Sequence, residues 1–257
     1  MKKLFSVMLS FVVIIGCMGI TSFADSDSAT VYVSVSSKGQ LVSAQTKVTV
    51  TDIDGDNTLT VNDALYAVHE AVYSGGAKDG YSYYIHKDYG LSLGRLWGDT
   101  SGNFGYYINN SSCWSLADTV KNGDYLNAFV YSDTKNYSDK YCFFNNNTVN
   151  ADKNSAIELT LSGAGYDANW NPVTLPVANA EITVDGKATG VKTDADGKAT
   201  IQISTSGTHI ISAVSASEIL VPPVCTAQIN GGIFASVLSA ITSFFSAIIN
   251  FILSFLA

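Results

Sequence analysis

Strict alternation of apolar and polar residues is the feature that most restricts how this chain can fold. Residues 30–36 read T-V-Y-V-S-V-S and residues 46–50 read T-K-V-T-V. Because side chains on a β-strand point alternately to opposite faces, this period of two predicts half-buried strands. Strand-like segments also occur at 104–108, 125–131 and 140–144. The chain is therefore predicted to be mainly β.

One amphipathic helix is predicted between the early and later strands, over residues 61–73. Its apolar residues recur at spacings of four, three and four: Val61, Leu65, Val68 and Val72. This spacing places them on one helical face, and Gly75 and Gly76 end the helix. His69, on the same helix, is predicted to face the sheet edge or solvent. The first module is thus predicted to be α+β, with one or two helices in the whole chain.

A second group of short strands follows a polar, structure-poor stretch at 145–154, where we place the domain boundary. The first module then covers residues 25–150 and the second covers residues 151–230. Short strands separated by Gly, Asn, Asp and Pro turns predict a small β-sandwich. The strand-like segments of the second module are 156–161, 180–184, 199–203, 209–214 and 225–229.

The N-terminal segment predicts export from the cytoplasm. Two lysines precede the uncharged run 4–20, and the small-residue site 22–24 is followed at once by Asp25. This order is that of a secretory signal peptide over residues 1–24. A lipoprotein signal is the alternative, because I-I-G-C at 14–17 loosely resembles a lipobox whose cysteine would be lipidated. The apolar run continues past that cysteine, which favours the cleaved signal.

The C-terminal segment, residues 231–257, contains no charged residue and is predicted to form a hydrophobic helix. Its last 25 residues would span about 38 Å as a helix, against a hydrocarbon core of roughly 30 Å. Serine and asparagine side chains form a narrow stripe along it, which in a membrane favours helix association and a homo-oligomer. The alternatives are therefore a membrane tail and an oligomerisation helix outside the bilayer.

Charge and cysteine content restrict the partners and the covalent links. Loss of the two N-terminal lysines takes the formal net charge from -8 to -10, so nucleic acid is not an expected partner. Cleavage after residue 24 removes Cys17 and leaves Cys113, Cys142 and Cys225. Outside the cytoplasm a disulfide is permitted, and we predict Cys113 with Cys142 because both lie in the first module.

The acidic segment D-I-D-G-D-N-T-L-T-V-N-D, residues 52–63, has oxygen side chains at positions 1, 3, 5, 7, 9 and 12. This spacing resembles the calcium loop of EF-hand and dockerin proteins, in which one loop wraps hard oxygen ligands around the ion. Asn57 replaces the usual glycine, and Asp63 replaces the usual glutamate. The alternative is a solvated acidic turn that caps the helix. The predicted calcium ligands are Asp52, Asp54, Asp56, Thr58, Thr60 and Asp63.

Two motifs stand out later in the first module: L-W-G-D-T-S-G-N-F-G-Y-Y-I-N-N at 96–110 and K-N-G-D-Y-L-N-A-F-V-Y at 121–131. They resemble motifs of the transcobalamin-like C-terminal domain, a domain of unknown function in bacterial surface proteins. The resemblance implies a β-grasp, which is a mixed sheet crossed by a helix. It also implies an aromatic ligand face, although strand packing is the alternative role for these rings. The residues of that face are Trp97, Phe104, Tyr106 and Tyr107.

The second module carries a resemblance of its own. Residues 177–201 read V-A-N-A-E-I-T-V-D-G-K-A-T-G-V-K-T-D-A-D-G-K-A-T-I and are similar to bacterial immunoglobulin-like surface modules. Such modules are spacers or adhesive units.

Cobalamin itself is not an expected ligand of the first module, because cobalamin carriers sandwich it against a large helical barrel that this sequence does not encode.

These features together predict a non-catalytic protein. The three histidines, His69, His86 and His209, lie in no recognisable nucleophile, zinc or phosphate-loop motif. We expect an exported protein retained at the cell surface or the outer face of the membrane, which binds a surface or extracellular ligand and carries a structural calcium loop. The alternative is an extracellular carrier of a small flat ligand.

N-terminal sequencing of the protein recovered from an exporting host tests the export signal. We expect the mature chain to begin at Asp25, because cleavage follows a small residue in a site of this kind. A chain that begins at a lipid-modified Cys17 would instead establish the lipoprotein alternative. An uncleaved N-terminus would contradict both.

Overall fold

The computed structural model describes residues 28–169, residues 171–231 and Phe244. The predicted signal peptide lies outside the described residues, as does the predicted tail beyond residue 231 apart from Phe244. Among the residues described, no helix is both long enough and apolar enough to cross a membrane.

Most of the described chain is β-structure, with helices α1 (Val61–Val72) and α2 (Gly76–Gly80) in its first part. The strands in chain order are β1 (Ser28–Ser37), β2 (Gln40–Thr51), β3 (Ser82–His86), β4 (Gly90–Arg95), β5 (Phe104–Ile108), β6 (Ser111–Ser112), β7 (Tyr125–Val130), β8 (Lys140–Phe144), β9 (Thr148–Asp152), β10 (Ile157–Tyr166), β11 (Pro172–Pro176), β12 (Glu181–Val184), β13 (Lys187–Lys192), β14 (Lys198–Ile201), β15 (Gly207–Val214), β16 (Leu220–Val221) and β17 (Cys225–Asn230).

The first unit is built on a five-stranded mixed sheet of order β2-β1-β7-β5-β6. Strands β1 and β7 are parallel, with Tyr32 opposite Tyr125, and the other pairs are antiparallel. Helix α1 packs on this sheet because its apolar face matches the inward residues of the strands. The alternation in β1 and the helical spacing in α1 therefore supply one core, to which Val31, Val33, Val61, Leu65 and Val68 contribute without exposure.

The second unit consists of two sheets that face each other across one core. One sheet has the order β11-β10-β8-β16, with β14 also paired to β10, and the other has the order β13-β12-β15-β17-β9. In β10, Ile157, Leu159 and Leu161 are buried, whereas the residues between them point outward. They pack with Ile182 and Ile211 of the facing sheet. The period-two pattern thus produces a β-sandwich, as the sequence predicts.

Strand pairing assigns the residues around the predicted domain boundary to the second unit. Strand β8 pairs with β10 and β16, and β9 pairs with β17, so residues 140–150 lie in the sandwich and not in the first sheet. The asparagine-rich stretch between β8 and β9 is ordered by Asn145, whose backbone and side chain both hydrogen bond to Thr160 at 2.9 Å. The stretch 145–154, where the sequence analysis placed the domain boundary, thus contains a turn followed by strand β9 of the sandwich.

The two units are joined by a buried aromatic contact. The rings of Tyr107, from β5, and Tyr141, from β8, stack with centroids 3.7 Å apart and planes 3° from parallel. The Tyr141 hydroxyl accepts a hydrogen bond from the Asn127 amide and donates one to Asn110, each at 3.0 Å. Phe129 completes this buried cluster. The Tyr141 ring is stacked and its hydroxyl makes two hydrogen bonds, so this contact ties the first sheet to the sandwich.

A second link between the units is polar. The Gln45 side chain, at the edge of the first sheet, donates from Nε2 to the carbonyl oxygens of Asn147 at 2.9 Å and Val224 at 3.2 Å. Its Oε1 accepts a hydrogen bond from the Thr226 hydroxyl at 2.6 Å. One side chain therefore contacts three positions of the sandwich.

The predicted disulfide between Cys113 and Cys142 is not formed, and Cys113, Cys142 and Cys225 are free thiols. The reason is that the two predicted partners pack in different cores: Cys113 against the core of the first unit and Cys142 inside the sandwich. Burial raises the pKa of Cys113 and of Cys142 to about 12, and that of Cys225 to about 11. All three thiols are therefore protonated and poorly reactive at neutral pH.

Replacing Tyr141 with alanine tests whether the aromatic contact couples the two units. We expect Tyr141→Ala to lower the free energy of unfolding by about 3 to 5 kcal/mol, because it removes a buried ring and leaves Asn110 and Asn127 without their partner. Calorimetry should also show the single transition separating into two. The matched control is Tyr89→Ala, at an exposed tyrosine, which should cost less than about 0.5 kcal/mol. An equal effect of the two variants would contradict the coupling.

Candidate metal centre

Three carboxylates converge where β2 ends and α1 begins. Oxygen atoms of Asp52, Asp54 and Asp63 all lie within 4.8 Å of one another. Asp52 directly follows the last residue of β2, and Asp63 is in the first turn of α1, so the intervening loop folds back on itself. The structure thus brings together three of the six residues that the spacing predicted as calcium ligands.

Asp52 organises the turn through its carboxylate. Its Oδ1 accepts the backbone N–H groups of Asp54 at 3.2 Å and Gly55 at 2.7 Å, and its Oδ2 accepts that of Asn57 at 2.8 Å. These bonds, led by the one from Asn57, lower the pKa of Asp52 below its ordinary value. Asn57 has a φ of 64°, so it adopts the left-handed conformation that the loop requires at the usual glycine position.

Asp63 caps the helix while it faces the loop. Thr60 is the N-cap of α1, and Asp63 Oδ2 accepts hydrogen bonds from the Thr60 backbone N–H at 2.8 Å and hydroxyl at 2.6 Å. Its Oδ1 accepts the N–H of Ile53 at 3.0 Å. Asp63 is fully buried, and these donors offset the cost of burying its charge. The helix-capping role that the sequence left open is therefore present, and Thr60 serves in it.

Asp54 is the carboxylate that the surrounding protein stabilises least. Desolvation, followed by the negative charges of Asp56 and Asp63, raises the pKa of Asp54 above its ordinary value. Its Oδ2 accepts one amide hydrogen bond, from Asn62 at 3.3 Å. Negative charges that raise a neighbour's pKa repel one another, and a bound cation would relieve that repulsion.

The remaining predicted ligands lie outside this group of three carboxylates. Asp56 is exposed, and its Oδ1 accepts the backbone N–H of Thr58 at 2.7 Å. The donor set offers hard carboxylate oxygens without a cysteine or histidine, which suits calcium better than zinc or copper. Three carboxylates supply fewer than the six to eight oxygens that calcium takes, so loop carbonyls and water would have to complete the shell.

His69 contacts Trp97, although the sequence analysis predicted that this histidine faces the sheet edge or solvent. His69 is instead fully buried, with Nδ1 2.6 Å from the Leu65 carbonyl oxygen and Nε2 accepting the Trp97 backbone N–H at 3.0 Å. The ring therefore carries its proton on Nδ1 and is neutral, and burial lowers its pKa. Tyr73, Tyr81 and Trp97 pack their rings around it. The sequence held a signal for this burial, since His69 follows Leu65 by one helical turn.

The four predicted ligand-face residues do not form one surface. Trp97, Phe104 and Tyr106 pack against the core under α1. Tyr107 points to the other side of β5, where it stacks on Tyr141. Neighbouring residues on a strand face opposite ways, so Tyr106 and Tyr107 cannot line the same side. These rings are packing residues in this structure, the alternative that the sequence left open.

Comparisons with known proteins do not identify a family for this chain. No protein-family model matches it, and no curated protein matches it. Among solved structures it is similar to the N-terminal four Ig domains of Dscam1 isoform 6.9, with 14% identity over 53% of this chain and 30% of that one, at a TM-score of 0.22. For isoform 4.44 the identity is 10% over 81% of this chain and 45% of that one, at a TM-score of 0.23. The chain therefore spans less than half of these structures, and TM-scores this low do not indicate a shared fold.

The neutral state of His69 predicts a pH dependence of stability. The unfolded chain takes up a proton at this histidine near pH 6.5, whereas the lowered pKa in the folded state resists protonation. Stability is therefore complete above about pH 6.5 and falls as the pH drops from there toward the folded-state pKa. Chemical denaturation at pH 7.5 and 5.0 should show a smaller loss of stability for His69→Gln than for the wild type. Equal losses would contradict this assignment.

Proposed function

We propose that this protein is an exported, surface-retained, non-catalytic binding or adhesion protein whose first unit holds a structural calcium ion. The observation that carries the calcium part is the convergence of Asp52, Asp54 and Asp63 within 4.8 Å at the junction of β2 and α1. The loop spacing that predicts the ion and the folded loop agree on these three residues.

Each loop residue has a distinct part in this proposal. Asp52, Asp54 and Asp63 would hold the ion, and the other predicted ligands, Asp56, the carbonyl oxygen of Thr58 and Thr60, would complete its shell together with water. A bound calcium ion would neutralise the repulsion at Asp54 and stiffen the junction of strand and helix. Capping and metal binding are compatible at Asp63, because a carboxylate has about four lone-pair sites and Asp63 uses three of them for Ile53 and Thr60.

The architecture supports a display role for the two units. The mixed sheet of the first unit, with β1 parallel to β7 and α1 packed on it, is compatible with the β-grasp that the resemblance implies. The facing sheets of the second unit suit an immunoglobulin-like spacer. In the proposal the hydrophobic tail keeps the protein at the membrane or in a homo-oligomer, and the acidic surface disfavours nucleic acid.

His209 belongs to a polar cluster in the second unit. His209 lies between Asp185, 2.7 Å from Nδ1, and Thr205, whose hydroxyl is 3.2 Å from Nε2, which is the order of a nucleophile, base and acid. However, the carbonyl oxygen of Thr205 is 3.1 Å from the same Nε2 and can only accept a hydrogen bond. Nε2 therefore lies beside both the hydroxyl and the carbonyl oxygen of Thr205, while Nδ1 faces the Asp185 carboxylate. In the proposal these contacts have a structural role, because they tie the turns at Asp185 and Thr205 to β15.

We do not propose the alternative function, an extracellular carrier of a small flat ligand. It depended on Trp97, Phe104, Tyr106 and Tyr107 lying on one exposed face. Tyr107 contacts the sandwich instead, and the other three rings pack toward the core of the first unit.

Thermal unfolding in calcium and in chelator tests the metal proposal. A site with a dissociation constant of about 1 mM should stabilise the folded protein by about 1.4 kcal/mol at 10 mM calcium, which raises the Tm by about 3 to 5 °C. Asp54→Asn should remove this rise. It is a cleaner change than one at Asp52, whose carboxylate also holds three backbone N–H groups of the turn.

A matched control lies in the second unit. Asp194 also begins a D-x-D-G segment, and its carboxylate accepts the N–H groups of Asp196 at 2.9 Å and Lys198 at 2.8 Å in a hairpin turn. Asp194→Asn makes the same charge change and should keep the calcium-dependent rise. A wild-type Tm that is the same in calcium and in chelator contradicts the calcium proposal.

The binding role is tested with an array of cell-wall and host-surface molecules. Failure of the protein to bind any component of the array contradicts that role.

A further inference from the structure

A groove with a volume of about 430 Å³ runs between β2 and α1. Val48 and Thr49 lie on its strand wall, and its helix wall includes Tyr66, Ala67 and Ala71. Ile53, from the loop after β2, forms its end wall. Strand β2 is the end strand of the five-stranded sheet, and no other strand of the described chain pairs with its outer side. The groove therefore lies directly against an open sheet edge.

Hydrogen bonds on the far side of β1 fix which backbone groups of β2 face this edge. The Tyr32 N–H donates to the Asp124 carbonyl oxygen at 2.8 Å, and the Thr30 carbonyl oxygen accepts the Gly123 N–H at 2.8 Å, so both residues direct their backbone groups away from β2. Their partners in the β1–β2 register are Lys47 and Thr49. In an antiparallel pair such partners do not bond to each other, so the N–H and C=O groups of Lys47 and Thr49 point out of the sheet.

We propose that this groove binds an extended polypeptide segment of another molecule, which adds as a strand to β2. An extended peptide presents donors and acceptors at every second residue, and this matches the outward groups of Lys47 and Thr49. The alanine methyl groups of Ala67 and Ala71 leave depth for the side chains on one face of that peptide. The inference rests on the proposed binding function and names the class of partner.

Charge around the groove selects a basic segment. Glu70 and Asp63 line the groove together with a single cation, Lys47. The exposed carboxylates of Asp54 and Asp56 lie in the adjoining loop. Apolar side chains would face Ile53, which is 37% exposed, and the partly buried Tyr66. The partner is thus an extended segment in which apolar residues alternate with polar ones and which includes lysine or arginine.

Hydrogen bonds within the protein hold the end wall of the groove. The Ile53 N–H donates to Asp63 Oδ1 at 3.0 Å, and Asp63 is itself held by the Thr60 cap. Pairing between two copies of β2 is the competing use of the edge. It would bring two groups of carboxylates together on molecules whose net charge is already -8, which disfavours it.

Fluorescence anisotropy with the full-length protein tests the inference. The probe is a fluorescein-labelled octapeptide of alternating valine and threonine with a lysine at each end. We expect saturable binding below 1 mM, at about the level of a weak specific complex. The same sequence methylated at every backbone nitrogen should bind about tenfold more weakly or worse, because it cannot donate to the strand edge. Equal binding of the two peptides, or none by either, overturns the proposal.

Two variants at one position identify the edge. Thr49→Pro removes an N–H that faces outward and so costs no β1–β2 ladder bond, whereas Thr49→Val keeps that N–H. We expect the proline variant to lose about tenfold in affinity and the valine variant to keep it. If Thr49→Pro does not fold, Ala71→Trp, at an exposed helix position, should block the groove and cause the same loss. Unchanged binding by the folded blocking variant overturns the proposal.

Two further results separate the remaining explanations. Sedimentation that shows a wild-type dimer converted to monomer by Thr49→Pro would assign the edge to a second copy and overturn the proposal. A calcium-dependent rise in Tm without peptide binding would reject this inference and leave the proposed calcium site standing. Peptide binding without that rise would support the groove and reject the calcium site.

Discussion

The hydrogen bonds to the buried carboxylate of Asp63 hold together the junction of β2 and α1 in the first unit. This carboxylate accepts hydrogen bonds from Thr60 at the start of α1 and from Ile53 in the loop after β2, at 2.6 to 3.0 Å. One buried charge therefore fixes the helix end, the acidic loop and the end wall of the groove. A buried carboxylate persists only where donors surround it, and here the donors come from both the loop and the start of the helix.

That junction connects two properties that sequence spacing treats separately. The acidic loop concentrates negative charge beside an open strand edge, and the edge carries outward backbone groups at Lys47 and Thr49. A cation in the loop and a basic strand on the edge would both act on the same local charge. The stacked pair Tyr107 and Tyr141 then connects this unit to the sandwich, so this contact opposes independent motion of the two units.

Much of the local structure was predictable because it depends on short-range periodicity. The helix expected over 61–73 is Val61–Val72, and the strand expected over 104–108 is Phe104–Ile108. The hairpin of β3 and β4 was not predicted, because residues 81–86, Y-S-Y-Y-I-H, lack the alternation of apolar and polar residues seen in the other strands. The alternation of side chains along a strand already places Tyr106 and Tyr107 on opposite faces, whereas the family resemblance implied that both lie on one ligand face.

By itself, the sequence determined the β-rich character, helix α1 and the spacing of the acidic loop, since each depends on residues close together in the chain. Only the tertiary structure decided that Cys113 and Cys142 occupy different cores, that β8 joins the sandwich, and that β2 lies at an edge beside a groove. Those outcomes depend on which strands pair across long sequence separations. Pairing of that kind is set by the combined burial of both faces of a sheet, and no single segment encodes it.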